Sequence, residues 1–173
     1  SELIRHRKLI IEDKLSINLT NDTSATLVPL GYDEATGGIV FNFKDCISHY
    51  HMNPTRTNKG GYYESEMRQY LKRNILPLIP EEFAAHIVPK TISQKHKGMI
   101  YTMTNKLWLL SEEEVSGKTY WSESNGEEQY PYFKVPGNGI KFFNGKPDWY
   151  WLRSPGRGDG CTFCCVNIYG DAP

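Results

Sequence analysis

Short apolar or alternating runs, separated by turn residues, mark the first quarter of the chain. Residues 27–30 and 38–43 are two such runs, and the stretches 20–23 and 33–38 are rich in Asn, Asp, Thr and Gly. Runs of this length bounded by turn residues are typical of β-strands. We therefore predict β-structure over residues 9–45.

Apolar side chains recur at helical spacing over residues 64–76, and this pattern predicts a helix there. Ser65 can cap the start of this helix, and Pro77 ends it. A second, short helix is predicted over residues 80–87, because a proline suits the first turn and Pro89 stops the pattern.

The second half of the chain alternates between short apolar runs and long polar stretches. Residues 106–110 predict a buried strand, and Ser111 with Glu114 three residues later predicts a capping box at the start of a short helix. Residues 116–139 are rich in Gly, Ser, Asn and Pro and predict a loop.

Two further strands are predicted near the end of the chain, over 149–155 and 164–169. Helices followed by short strands and long loops indicate an α+β domain. We expect one domain over residues 1–173, with a small mixed or antiparallel sheet, two or three short helices and long loops.

The composition indicates a folded domain and gives no reason to expect a highly charged partner such as nucleic acid. Of the 173 residues, 39% are hydrophobic and 13% aromatic, and 20 Lys and Arg balance 20 Asp and Glu. A net charge of zero gives no general attraction to nucleic acid. No stretch approaches the roughly 20 apolar residues that cross a bilayer, so we expect no membrane insertion.

The metal-binding and thiol patterns are weak. Cys161 and Cys164 have the spacing of one half of a zinc site, but no second pair of this spacing exists. His49 and His51 share one face of an extended segment, and no third ligand is evident. We predict no metal site and no cofactor.

Five sequence blocks carry a family resemblance. In chain order they are TNKGGY at 57–62 after Met52-Asn53, SEMRQYL at 65–71, LWLLSEEEV at 107–115, YPYF at 130–133 and WYWLRSP at 149–155. This order resembles the DUF6273 family over nearly the whole chain. Members usually continue beyond the last strand with a segment that closes the sheet, and we expect that closing segment to be absent here.

The resemblance implies a C-type-lectin-like fold, related to formylglycine-generating enzymes and to the variable proteins of diversity-generating retroelements. It also implies an origin in gut bacteria or their phages. The expected location is the bacterial surface or the phage virion rather than the cytoplasm. In the retroelement proteins of this fold, the C-terminal region is the one that varies.

We predict ligand binding by the C-terminal loops, because a rigid aromatic strand there carries mixed polar and aromatic groups on adjacent loops. The predicted ligand-binding residues are Arg157, Asp159, Thr162, Phe163, Asn167, Tyr169 and Asp171. Trp149 and Trp151 are expected to pack in the core. Arg153 is expected to tie loops together through several hydrogen bonds.

The sequence thus predicts a non-enzymatic binding module for a cell-surface glycan or protein, and leaves self-association into a homo-oligomer open. Two alternatives remain. One is a cysteine- or metal-dependent oxidase of the formylglycine-generating type, and the other is a structural virion or surface protein.

Overall fold

The computed structural model describes residues 13–158 and 162–172. A three-stranded antiparallel sheet comes first, formed in the order β1 (Leu15–Asn18), β2 (Ser24–Asp33) and β3 (Gly38–Phe43). The β2–β3 register shifts between Pro29 and Gly31. A bulge is one of the few places where a strand tolerates proline, which lacks an N–H for the ladder. The predicted β-structure is confirmed here, except that residues 9–12 lie outside the described residues.

The predicted first helix is confirmed in position but changes its hydrogen bonding along its length. It begins as α1 (Glu66–Tyr70), continues as a π-helical turn (Leu71–Ile75) and ends as a 3-10 turn (Leu76–Leu78). The Arg68 amide donates to Ser65 Oγ at 3.2 Å, so Ser65 is the N-cap. The helix α2 (Glu81–Ala84) is shorter than the predicted span of 80–87.

A hairpin follows that the sequence patterns did not predict. Strands β4 (Lys90–His96) and β5 (Met99–Asn105) pair antiparallel across Lys97 and Gly98. Both turn residues have positive φ, 51° and 75°, as a two-residue hairpin turn matched to the strand twist requires.

The prediction of a strand over residues 106–110 is wrong. These residues form no strand ladder in the described part of the chain, and their one backbone bond to β8 is from the Arg153 amide to the Leu110 carbonyl at 2.8 Å. The predicted capping box of Ser111 and Glu114 is confirmed at the start of α3 (Glu112–Ser116).

The last third contains two hairpins after a 3-10 turn at Pro131–Lys134. The strands are β6 (Lys141–Phe143), β7 (Lys146–Asp148), β8 (Tyr150–Pro155) and β9 (Phe163–Val166). The predicted strand over 164–169 ends early, because the Asn167 side chain accepts the amides of Tyr169 and Asp171 and turns the chain.

All strand pairs among the described residues are antiparallel and the helices are short, so the α+β class is confirmed. One core cluster joins the first sheet to α3, β8 and β9, and a second packs the α1 helix against β4 and β5. Within the described ranges, no helix has both the length and the apolar character that a membrane span requires.

Candidate ligand-binding cleft

An open cleft of about 840 Å³ lies beside β3. Its walls come from the whole of β3, the segment 45–50 that follows it, the α1 helix, the segment 106–110 and the start of β8. Among its aliphatic and aromatic lining residues are Phe41, Phe43, Ile47, Tyr50, Tyr70, Leu71, Leu107, Trp108, Trp149 and Trp151. Within the described chain, β3 is an edge strand and pairs on one side only.

Stacked aromatic rings form one wall of the cleft. The Tyr50 and Tyr70 rings lie almost parallel with centroids 3.8 Å apart, and His51 stacks on Tyr50 at 4.2 Å. The indole Nε1 of Trp151 donates to the Tyr50 carbonyl at 3.1 Å. These contacts hold flat apolar surfaces in fixed positions.

The two tryptophans expected in the core lie at this cleft instead, so that prediction is wrong. Trp149 is 53% exposed and Trp151 38% exposed, whereas Leu152 is fully buried. Successive strand residues point to opposite faces, and Tyr150 and Leu152 pack against the first core cluster. The exposed rings of Trp149 and Trp151 line the cleft, which Tyr150 and Leu152 also border.

Lys141 lines the cleft, and its basic side chain is buried. The residue is 8% exposed, its Nζ donates to the Phe43 carbonyl, and Nζ lies 5.2 Å from the centre of the Tyr150 ring. Burial lowers the pKa of Lys141 to about 8, although the nearby Cys46 and Asp45 act in the opposite direction. No Asp or Glu in the described part of the chain forms an ion pair with Lys141.

At the rim, His49 Nε2 lies 2.7 Å from Asp148 Oδ2. The hydrogen bond with His49 and the one from the Trp149 amide lower the pKa of Asp148. Within the described ranges, no group of three or more His, Cys, Asp or Glu side chains is placed to hold a metal ion.

The predicted C-terminal loop residues serve different purposes. The Arg157 guanidinium bonds the Ser122 carbonyl and Thr119 Oγ1, which fastens two loops together. The Thr162 carbonyl accepts the Gly156 amide at 3.0 Å and belongs to the turn between β8 and β9. Asp159 lies outside the described residues.

Among the other predicted ligand residues, Phe163 is 7% exposed and packs in the second core cluster, so its side chain is not available to a ligand. Asn167 is occupied with the turn before Asp171. Tyr169 is the large exposed member, at 74%. The described members therefore do not gather into one aromatic site, because β9 turns Phe163 inward.

Arg153 is fully buried at the junction of β8 and α3. Its Nη1 donates to the Leu109 carbonyl at 2.9 Å and to Glu114 Oε2 at 2.5 Å, and its Nη2 donates to Glu127. The guanidinium thus joins three separate segments of the chain.

Sequence patterns did not show that the three glutamates of α3 are buried and organise the loop after it. Glu112 accepts hydrogen bonds from the amides of Tyr120, Trp121 and Ser122. Glu113 accepts hydrogen bonds from the next turn of the loop, where the Ser124 hydroxyl and the Asn125 amide donate. The signal for this role in the sequence was the run of three glutamates within the otherwise mainly apolar block 107–115.

The described cysteines are free and poorly reactive. Cys46, Cys164 and Cys165 form no disulfide. Burial raises the pKa of Cys164 to about 12, and the neighbouring Glu112 carboxylate, 3.8 Å from Sγ, raises it further. Burial also raises the pKa of Cys46 and of Cys165. Almost no thiolate is present at neutral pH.

Comparison with known proteins gives one result. A family model described as a domain of unknown function (DUF6273) matches residues 19–173. Neither the curated proteins nor the solved structures contain a significant match to the chain. Since the family model matches well over half of the sequence, the chain belongs to the DUF6273 family.

Proposed function

We propose that this protein is a non-enzymatic binding module and that its ligand enters the cleft beside β3. The observation that carries the proposal is the exposure of Trp149 and Trp151 on the wall of an open, mainly apolar cleft. Large apolar side chains that the fold leaves accessible in a concave site are typical of binding sites.

The size of the cleft supports this function. Its volume of about 840 Å³ lies within the range of roughly 300–1,000 Å³ found for ligand sites. The lining is aliphatic and aromatic, with few polar groups, so the favoured ligand has an apolar body. We further propose that this ligand lies on a cell surface or takes part in a phage–host contact. A C-type-lectin-like fold of this chain is part of the same proposal.

The Cys164 thiol favours binding over catalysis by this cysteine, whereas Cys161 lies outside the described residues. A nucleophilic cysteine reacts as its thiolate, and burial together with the neighbouring Glu112 carboxylate raises the pKa of Cys164. An anion at this distance disfavours the thiolate. An oxidase that uses Cys164 is therefore the weaker candidate.

Glycan recognition at the rim is a second candidate, favoured by one observation. Trp149, which is 53% exposed, directly follows Asp148, and Asp148 pairs with His49. A flat ring beside hydrogen-bonding groups suits a sugar, whose apolar face stacks while its hydroxyls bond.

The test is a titration with N-phenyl-1-naphthylamine, an uncharged apolar dye that fluoresces in dry sites. We expect saturable binding, with a dissociation constant on the order of micromolar. The double variant Trp149→Ala/Trp151→Ala should weaken binding at least about fivefold, because it removes two aromatic surfaces. Trp121→Ala is the matched control, since Trp121 is 59% exposed but does not line the cleft.

Absence of dye binding to the folded protein, or equal loss in the Trp121→Ala control, contradicts the cleft proposal. A glycan screen separates the second candidate. Binding of an oligosaccharide that Trp149→Ala abolishes, and that the dye does not displace, would assign the rim to sugars.

A further inference from the structure

The position of Lys141 in the cleft limits the chemistry of the ligand. Lys141 begins β6, and its side chain runs from the β6–β7 hairpin toward the carbonyl of Phe43 at the end of β3. More than nine-tenths of the residue is out of solvent, yet it lines the cleft. Lys141 is therefore a buried basic residue on the wall of the cleft.

The charge of this ammonium is poorly neutralised by the protein. The described contacts of Nζ are a carbonyl and an aromatic ring, both neutral. Asp45 is close enough to raise the pKa of Lys141, but its Oδ1 accepts the Phe142 amide and it forms no ion pair with Lys141. Other charged or ionisable groups close by are Cys46, whose pKa is raised, and Asp148, which pairs with His49.

A buried charge without a counter-ion is costly, and a ligand that supplies the opposite charge recovers part of that cost. Burial lowers the pKa of Lys141 to about 8, which still leaves most of the side chain protonated at neutral pH. One ammonium neutralises one negative charge. A carboxylate matches that charge, whereas a phosphate monoester would leave part of its second charge unpaired in an apolar cleft.

We propose that the cleft binds an amphipathic carboxylate, whose apolar body lies along the aromatic wall and whose carboxylate accepts a hydrogen bond from Lys141 Nζ. This inference rests on the proposed function and adds the charge of the ligand to it. The carboxylate replaces the missing counter-ion, and the apolar chain replaces water against Tyr70, Trp108 and Trp151.

Competition against bound N-phenyl-1-naphthylamine at pH 7.4 tests the proposal with two matched probes, decanoate and 1-decanol. The probes share their alkyl chain and differ in the charged end group. We expect decanoate to displace the dye at a concentration at least about tenfold lower than 1-decanol, because a charge-assisted hydrogen bond favours the anion.

The variants Lys141→Met and Lys106→Met assign the effect. Lys106 also lines the cleft but is exposed, so it is the matched control. Lys141→Met should abolish the preference for decanoate, measured as the ratio of the two displacement concentrations, and Lys106→Met should keep the preference. If Lys141→Met does not fold, Lys141→Gln takes its place, since its amide can still donate to the Phe43 carbonyl.

Equal displacement by both probes in the unmodified protein overturns the carboxylate proposal and leaves the binding function standing. A preference that survives in the Lys141 variant, or that disappears equally in Lys106→Met, overturns the assignment to Lys141. Failure of the unmodified protein to bind the dye is a different result, because it contradicts the proposed function itself.

Discussion

Arg153 Nη1 lies 2.5 Å from Glu114 Oε2, with the first side chain fully buried and the second 5% exposed. The same guanidinium bonds Glu127 from the loop after α3, so one cation serves two carboxylates. Burial raises the pKa of Glu127, and the Arg153 charge acts against that rise. The junction between β8 and α3 therefore depends on the positive charge of a single residue.

Arg153→Met should destabilise the protein by about 3–5 kcal/mol, because it leaves the buried Glu114 carboxylate and the partly buried Glu127 carboxylate without their cation. Urea unfolding followed by circular dichroism measures this change. The matched control is Arg73→Met, which removes an exposed arginine and should change the stability by less than about 0.5 kcal/mol. A loss below about 1 kcal/mol for Arg153→Met would contradict the role assigned to the pair.

Replacing Lys141 by methionine should stabilise the protein at pH 7. Burial lowers the pKa of Lys141 from 10.5 to about 8, so the unfolded chain binds the proton more tightly than the folded protein. The buried charge therefore costs stability below pH 8, and the cost fades as the pH rises from 8 to 10.5. We expect a gain of roughly 1–3 kcal/mol at pH 7 and a smaller gain at pH 10.

Urea unfolding of both proteins at the two pH values measures the gain. Asp45, Cys46, Asp148 and Tyr150 surround Lys141 and are present in both proteins, so their own titration largely cancels in the difference. A gain that is equal at both pH values would show that the charge is not its source.

The two faces of β8 should respond differently to truncation. Leu152→Ala removes a fully buried side chain and should cost about 2–5 kcal/mol of unfolding free energy. Trp149→Ala removes a ring that is more than half exposed, and we expect a loss below about 1 kcal/mol. Similar losses in the two variants would place Trp149 in the core after all. Urea unfolding gives both values.

Glu112→Gln should loosen the loop that follows α3. The variant keeps the shape of the side chain but removes the charge that accepts the amides of Tyr120, Trp121 and Ser122. Hydrogen bonds to a charged acceptor contribute about 1.5–3 kcal/mol, so amide exchange at these three positions should accelerate at least about tenfold.

Hydrogen exchange detected by mass spectrometry measures this change. Glu128→Gln is the control, because Glu128 is an exposed glutamate of the same loop. Unchanged exchange at residues 120–122 in the Glu112 variant would mean that the backbone holds the loop without the carboxylate.

Native Cys164 should resist alkylation at neutral pH. Burial and the neighbouring Glu112 carboxylate raise the pKa of its thiol to about 12, which leaves little thiolate to react. Iodoacetamide labelling mapped by mass spectrometry should modify Cys164 slowly in the folded protein and rapidly in urea. Fast labelling of Cys164 in the native state would favour the cysteine enzyme that we consider the weaker candidate.

Local features of the fold were predictable, and features set by distant partners were not. The capping box of Ser111 and Glu114 needs only four residues and forms as predicted. The β4–β5 hairpin was missed because Gln94 and His96 occupy its buried face, where an apolar pattern would have marked a strand. Residues 106–110 have the composition of a strand, but their described bonds to β8 are those of Arg153 with the Leu109 and Leu110 carbonyls, which form no strand ladder.

The candidate site was harder to predict, because its walls come from segments far apart in the sequence. The aromatic run 149–151 indicated one strand, but the spacing alone does not decide which face packs inward. Leu152 and Tyr150 contact the core, and this leaves the indoles of Trp149 and Trp151 for the cleft. Phe163 shows the reverse error, since a residue that looked suited to a loop is buried by β9.

The glutamates of α3 have a consequence for how this protein can evolve. Glu112 and Glu113 hold the backbone of the following loop through amides and small hydroxyls, while the side chains of Tyr120 and Trp121 point to solvent. The residues that fix the backbone conformation of the loop are therefore largely not its exposed residues. Substitutions at 120 and 121 can accumulate with little effect on the backbone, so natural selection can change the surface chemistry of this loop while the inherited scaffold stays the same.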